Sequence, residues 1–222
     1  MIEWLKDIDT SVFLFLNGIH SEYFDSFMWI ATTKWIWIPF YLSLLVIVAR
    51  IGNWRKVAVV LCYLGLAVAL ADQLGATVIR PLVERLRPSN LDNPISSLVH
   101  IVNDYRGGAY GFPSCHAANS FALAVFLSLV LRNRKLSAVL FVWATVNSYS
   151  RLYLGVHYPG DLLVGALLGT VVALVMASVA RWISCKIDVK NPGLSIVRQG
   201  DEKAVILTFV VTVAAIATYS FF

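Results

Sequence analysis

Charge is what this chain has least of. Only 14% of its 222 residues are Asp, Glu, Lys or Arg, where a soluble domain carries about 25%. Hydrophobic residues make up 59%, and the mean hydropathy is +0.73. These values exclude a soluble enzyme, a nucleic-acid binder and a disordered chain. Cysteine is also scarce. Cys62, Cys115 and Cys185 lie far apart, and offer neither a disulfide framework nor a paired metal-ligand spacing. Clustered carboxylates of a metal site are missing too, so no metal or other cofactor is expected. No linker, internal repeat or low-complexity segment divides the chain. The N-terminus lacks the basic start and long apolar run of a cleavable signal; it carries Glu3, Asp7 and Asp9 instead.

What is present is apolar length. A bilayer-crossing helix needs about 20 mostly apolar residues. Such runs are read at residues 24–49, interrupted by Lys34, then at 57–79, 117–131, 136–153, 162–183 and from 204 onward. Before them, Leu5, Ile8, Val12 and Leu16 recur at spacings of three and four, with Glu3, Lys6, Asp7 and Thr10 elsewhere on the wheel. Residues 1–22 are therefore read as an amphipathic helix in the membrane interface. The expected fold is all-α, a polytopic bundle of six transmembrane helices in one domain, residues 1–222.

The net charge of +5 says less than where the basic residues fall. Arg50, Arg55 and Lys56 lie in one connection; Arg132, Arg134 and Lys135 in another; Arg181, Lys186, Lys190, Arg198 and Lys203 in a third. Helix alternation puts all three on one face, which the positive-inside rule makes cytoplasmic. Arg80, Arg85, Arg87, Arg106 and Arg151 then fall on the outer side, against the rule. They need another explanation.

Three segments converge on that outer face, all within residues 80–161. They are Arg80-x6-Arg87-Pro88, Pro113-Ser114-Cys115-His116, and Ser150-Arg151-x5-His157-x3-Asp161. Guanidinium forks suit phosphate oxygens and remain charged at any relevant pH. A helix beginning near Ser114 adds free N–H groups and a positive dipole end. A histidine with a carboxylate four residues on can be held in one tautomer, its other nitrogen free to attack. A second histidine can protonate the departing oxygen. These parts fit phosphoryl transfer through a phosphohistidine, with arginines in place of a metal cation.

On these residues the chain resembles the type 2 phosphatidic acid phosphatases. They are the membrane branch of a superfamily that also holds vanadium haloperoxidases and bacterial acid phosphatases. The family's signatures are Lys-x6-Arg-Pro, Pro-Ser-Gly-His and Ser-Arg-x5-His-x3-Asp, and the third is complete here. The resemblance implies catalytic roles for His157 as nucleophile, Asp161 as its holder and His116 as acid. It implies phosphate binding by Arg80, Arg87, Ser114, Arg151 and the N–H groups near Cys115, with Arg85 and Ser150 in support. Two positions depart from the pattern. Arg80 replaces a lysine, keeping the charge on a planar fork. Cys115 replaces a glycine, which leaves the N–H available unless the backbone needs a positive φ. Cys115 has no arginine at the Cys-x5-Arg spacing of cysteine phosphatases, so it is not read as a nucleophile.

The resulting expectation is a metal-independent lipid phosphatase in a bacterial cytoplasmic (inner) membrane, with its site on the outer, periplasmic face. Its expected partners are the membrane and a phospholipid or isoprenoid lipid phosphate, with no nucleic acid. Undecaprenyl diphosphate is favoured narrowly over lipid A, phosphatidylglycerol phosphate or phosphatidic acid. The rival of another class is a lipid transporter or flippase whose basic cavity binds headgroups without hydrolysis. Asp72, within the second run, needs a polar partner. Gly165 and Gly169 are read as a close-packing pair rather than a dimer contact.

Overall fold

The computed structural model describes residues 2–51, 53–188, 194 and 200–221. Among these the chain is helical, with one antiparallel bridge between Leu86 and Tyr110. The helices are α1 (Ile2–Asn17), α2 (Glu22–Ala31), α3 (Ile38–Ala49), α4 (Trp54–Gln73), α5 (Arg80–Val83), α6 (Cys115–Leu131), α7 (Arg134–Tyr153), α8 (Pro159–Ile187) and α9 (Asp201–Tyr219). Three stretches are long and apolar enough to cross a bilayer: Trp54–Val83, α8 and α9. The α2 helix with Trp35–Ala49 makes a fourth as a bent pair, and α6 is apolar but only 17 residues long.

The run at residues 24–49 is thus two helices meeting at 68°, not one. The reason is local. The Thr33 hydroxyl donates to the Ile30 carbonyl at 2.8 Å, and the Trp37 indole donates to the Ala31 carbonyl at 2.8 Å. Side chains have taken carbonyls that a continuing helix would pair with its own N–H groups. Pro39 then sits in the first turn of α3, where its missing N–H costs nothing.

A second irregularity comes from Pro81. Lacking an N–H, it cannot extend the helical ladder. The turn before it, Leu74–Ile79, widens into a π-helix, and the Arg80 N–H reaches back to the Gly75 carbonyl. The residue absorbed there changes the direction in which Arg80 leaves the helix.

The α6 and α8 helices form the central seam. A Cβ on Gly165 would overlap the Ser114 carbonyl oxygen, and one on Gly169 would overlap the Ala118 carbonyl oxygen. Both glycines serve packing inside the bundle, as expected. Trp37, Phe40, Trp143 and Phe209 interlock α3, α7 and α9 around a buried aromatic cluster. At the other end from the arginine motifs, Arg50 pairs with Asp201, and the buried Lys56 ammonium lies 3.2 Å from Asp188. Lys190 and Arg198, used above for orientation, lie outside the described residues.

Gly169→Val should overpack the seam and lower stability by at least about 1–3 kcal/mol, seen as a lower melting temperature in detergent. Gly65, with open space around its Cα, is the control. Gly65→Ala should melt at or above the parent temperature, because alanine is the better helix former.

Candidate active site

The turn between α7 and α8 builds the centre of the site. Gly155 takes a positive φ of 75° there, a conformation open to glycine. His157 follows, 3% exposed, and Asp161 lies in the first turn of α8, fully buried. Asp161 Oδ2 accepts the Tyr158 N–H at 3.0 Å and faces His157 Nδ1 at 3.3 Å. His157 Nε2 is 3.0 Å from Arg87 Nη1. A guanidinium only donates, so Nε2 must accept and the ring proton must sit on Nδ1, toward Asp161. That tautomer leaves the Nε2 lone pair directed at the arginine side. Burial holds the imidazole well below its ordinary pKa, and Arg87, Arg151 and Arg80 add to the effect. Burial also lowers Arg87, to about 10, with Arg151 and Arg80 contributing; it remains a cation at neutral pH.

The remaining predicted residues gather around this pair. Arg87 also donates to the Val156 carbonyl at 3.0 Å, and its own carbonyl accepts the Asn93 amide at 3.0 Å. Arg80 Nη2 donates to the Pro113 carbonyl at 3.2 Å and lies 3.0 Å from Cys115 Sγ. Arg151 Nη1 and Nη2 donate to the Thr32 hydroxyl at 2.9 Å and the Tyr105 hydroxyl at 3.1 Å. Ser114 caps α6: its hydroxyl oxygen accepts the Ala117 N–H, and its own N–H donates to the Asp161 carbonyl at 2.9 Å. The second and third motifs are therefore joined through the backbone. His116 occupies the first turn of α6 beside them. Ser150 is different, because its hydroxyl donates to the Asn147 carbonyl inside α7 at 2.8 Å and does not meet the arginines.

Cys115 has helical backbone and is not among the residues with positive φ, so the N–H at this position needs no glycine. The space its side chain takes is opposite Gly75, where a Cβ would stand 3.2 Å from Sγ. Asp72 has found its partner: Asn119 Nδ2 donates to Asp72 Oδ1 at 2.8 Å.

Arg85 bridges rather than faces outward. Its Nη1 reaches Asp161 Oδ1 at 3.1 Å and Asp9 Oδ2 at 2.7 Å, with the guanidinium 3.7 Å over the Tyr158 ring. Asp9 Oδ1 accepts the Gly160 N–H at 2.7 Å. Sequence reasoning missed Asp9, which lies 76 positions from Arg85 and carries no motif. Gly111 was missed as well. Its N–H donates to the Arg85 carbonyl at 2.9 Å, and a Cβ there would press on Asp161 Oδ2 at 3.1 Å. The run Gly107-Gly108-Ala109-Tyr110-Gly111 was the available signal.

The arrangement concentrates guanidinium charge and helix N–H groups around one neutral, oriented imidazole. Among the described residues no group of three or more His, Cys, Asp or Glu side chains could hold a metal ion. Chemically this arrangement can hold an oxyanion beside an imidazole nitrogen whose lone pair is free to react.

The PAP2 superfamily model matches residues 60–184. A Lipid A 4'-phosphatase of Bacteroides thetaiotaomicron is 48% identical over 225 residues, covering 99% of this chain and 98% of the relative. An Undecaprenyl-diphosphatase of Sulfolobus acidocaldarius is 31% identical over 182 residues, 80% of this chain and 77% of the relative. Among solved structures, the transmembrane PAP2 type phosphatidylglycerolphosphate phosphatase of Bacillus subtilis superposes with a TM-score of 0.58. It is 23% identical and covers 81% of this chain and 87% of that one, which speaks for the fold. All-helical, membrane-embedded, and matched by the family model over more than half its length, this chain belongs to the PAP2 superfamily and is a phosphatase.

Proposed function

We propose that the protein hydrolyses a phosphate ester of lipid A, through a phosphohistidine on His157 and without a metal ion. The observation that carries the mechanism is the order Arg87–His157–Asp161, which makes Nε2 the acceptor. In the first step Nε2 attacks phosphorus as the bond to the lipid oxygen breaks, and His116 gives that oxygen a proton. Arg80, Arg87, Arg151, Ser114 and the N–H groups of Cys115 and His116 stabilise the phosphoryl oxygens. In the second step His116 takes a proton from water, the water oxygen bonds to phosphorus, and the P–N bond breaks. Arg87 passes from Nε2 to a phosphate oxygen when substrate enters.

The substrate choice follows the relatives. The relative named for lipid A matches nearly all of this chain at 48% identity, whereas the one named for undecaprenyl diphosphate reaches 31% over 80%. Lipid A therefore replaces undecaprenyl diphosphate as the favoured substrate, and phosphate release from both, with phosphatidic acid and phosphatidylglycerol phosphate, is the test. A nucleophile poised among the phosphate ligands supports hydrolysis over headgroup transport. We read six crossings, made by the bent α2–α3 pair, α4, α6, α7, α8 and α9, in a bacterial inner membrane. The arginine site faces the periplasm, because the other end carries the basic connections. The α1 helix, with Leu5 at 55%, Ile8 at 42% and Val12 at 41% exposure, lies in the interface. The single domain takes in the whole chain.

His157→Ala should abolish phosphate release and leave no acid-labile phosphoenzyme after a pulse of labelled lipid. EDTA should leave the parent activity intact; loss restored by Mg²⁺ would contradict the guanidinium reading.

His157 must be neutral to attack. Because its pKa is lowered, the neutral form should persist at acid pH. The acid limb of kcat/KM assigned to His157 should lie below the ordinary histidine value of about 6.5, once substrate ionisation is measured separately. A limb at the ordinary value sinks this point.

Asp9 and Arg85 act as positioning residues. Asp9→Asn should lower kcat about ten- to a hundredfold, the loss of one charge-assisted contact of about 1.5–3 kcal/mol, with KM little changed and Asp9→Glu recovering part of the loss. A change in KM alone would mean that Asp9 shapes binding instead.

A further inference from the structure

A cavity of about 340 Å³ opens beside Cys115 and His116, within the roughly 300–1,000 Å³ range of small-molecule sites. Its lining descends α6 from Cys115 to Leu123, about 12 Å along the helix axis. The opposite walls come from the break at residues 32–34, from α3, α4 and α7. This space is deeper than the arginines and belongs to none of the three motifs except at its mouth.

Its chemistry is mixed in a particular way. Asp72 and Asn119 are joined at 2.8 Å on one side, and the Asn147 amide donates to the Ser120 hydroxyl at 2.9 Å on another. Asn119 Oδ1, Asn147 Oδ1 and Trp143 Nε1 are buried without a hydrogen-bond partner among the described residues. Asn147 is 7% exposed and Trp143 is 2% exposed. Buried polar atoms left unpaired are costly, and polar groups inside a membrane bundle mark function by default. Trp37 and Tyr41 complete the wall with aromatic surface. Further in, a cleft of about 250 Å³ between α3 and α4 shares Tyr41 and Leu123 with this cavity and is otherwise lined by Leu and Val.

We propose that this cavity is the leaving-group subsite and that it selects a sugar. An acylated hexosamine would place its hydroxyl and amide groups against Asp72, Asn119 and Asn147. The sugar's apolar faces would lie on the aromatic wall, and an acyl chain would run into the α3–α4 cleft. The inference rests on the reading of His116 as the acid, since the oxygen that His116 protonates must belong to the group occupying this space. Diacylglycerol brings only ester carbonyls besides the leaving oxygen, and a polyprenyl phosphate released from a diphosphate brings no sugar; neither offers the hydroxyl and amide donors that Asn119 Oδ1 and Asn147 Oδ1 lack, the condition under which polar sites discriminate most strongly.

The test compares kcat/KM for two lipids, a phosphorylated acyl-glucosamine disaccharide and dioctanoyl phosphatidic acid, in the parent and in Asn147→Leu. The parent should prefer the disaccharide lipid, and the variant should lose at least tenfold of that preference. Equal ratios in parent and variant overturn the subsite. A parent that releases phosphate from neither lipid overturns the lipid A activity proposed above, and the subsite with it. Should Asn147→Leu fail to fold, product inhibition of the parent decides. The phosphate-free disaccharide lipid should inhibit at least tenfold more strongly than diacylglycerol of matched chain length, and equal inhibition overturns the proposal.

Discussion

Everything at the arginine-rich end of this bundle depends on one buried carboxylate. Asp161 is fully buried, yet both of its oxygens are engaged, Oδ2 with the Tyr158 N–H and the His157 ring, and Oδ1 with Arg85. A buried carboxylate is costly unless it is paired and hydrogen-bonded, and here those requirements organise the site. Satisfying Oδ2 fixes the start of α8 and the tautomer of His157. Satisfying Oδ1 draws in Arg85, and Arg85 in turn draws in Asp9 from a helix at the far end of the sequence. The Asp161 carbonyl, by accepting the Ser114 N–H, adds the cap of α6 to the same assembly.

The departures from the family pattern can be explained by such pairings. Arg80 gains a carbonyl and a sulfur as acceptors, Pro113 and Cys115, where a lysine would present a single point of charge. The bulk added by Cys115 is received by Gly75 where the π-helical turn meets α6. A change of residue at one helix start is thus balanced by a missing side chain in the π-helical turn that faces it.

Much of this could be read from residue order. The convergence of Arg87, His157 and Asp161 was legible because the spacing His-x3-Asp sets a carboxylate in the first turn of α8 against the histidine just ahead of that helix, and because helix alternation brings three motifs to one face. The apolar runs were legible for α4, α8 and α9, where length and composition agree. The run at 24–49 was not, since its break depends on side chains of Thr33 and Trp37 capturing carbonyls, an event that hydropathy does not register. Asp9 was illegible for a related reason. Its value comes from Arg85 and Gly160, neither near it in sequence, and an acidic residue on an amphipathic helix looks like any other solvated group.

The glycine seam between α6 and α8 has a consequence for how such a protein could acquire new substrates. Asp161, the turn that carries His157 and the start of α6 are all held by two helices locked backbone to backbone at Gly165 and Gly169. Little can be exchanged along that line without dislodging the reaction centre. The break at residues 32–34 and the cleft between α3 and α4 stand apart from it. Changes of bulk, polarity and chain length on that side would leave the α6–α8 seam untouched, so the fold separates a rigid helix pair from a wall that can vary.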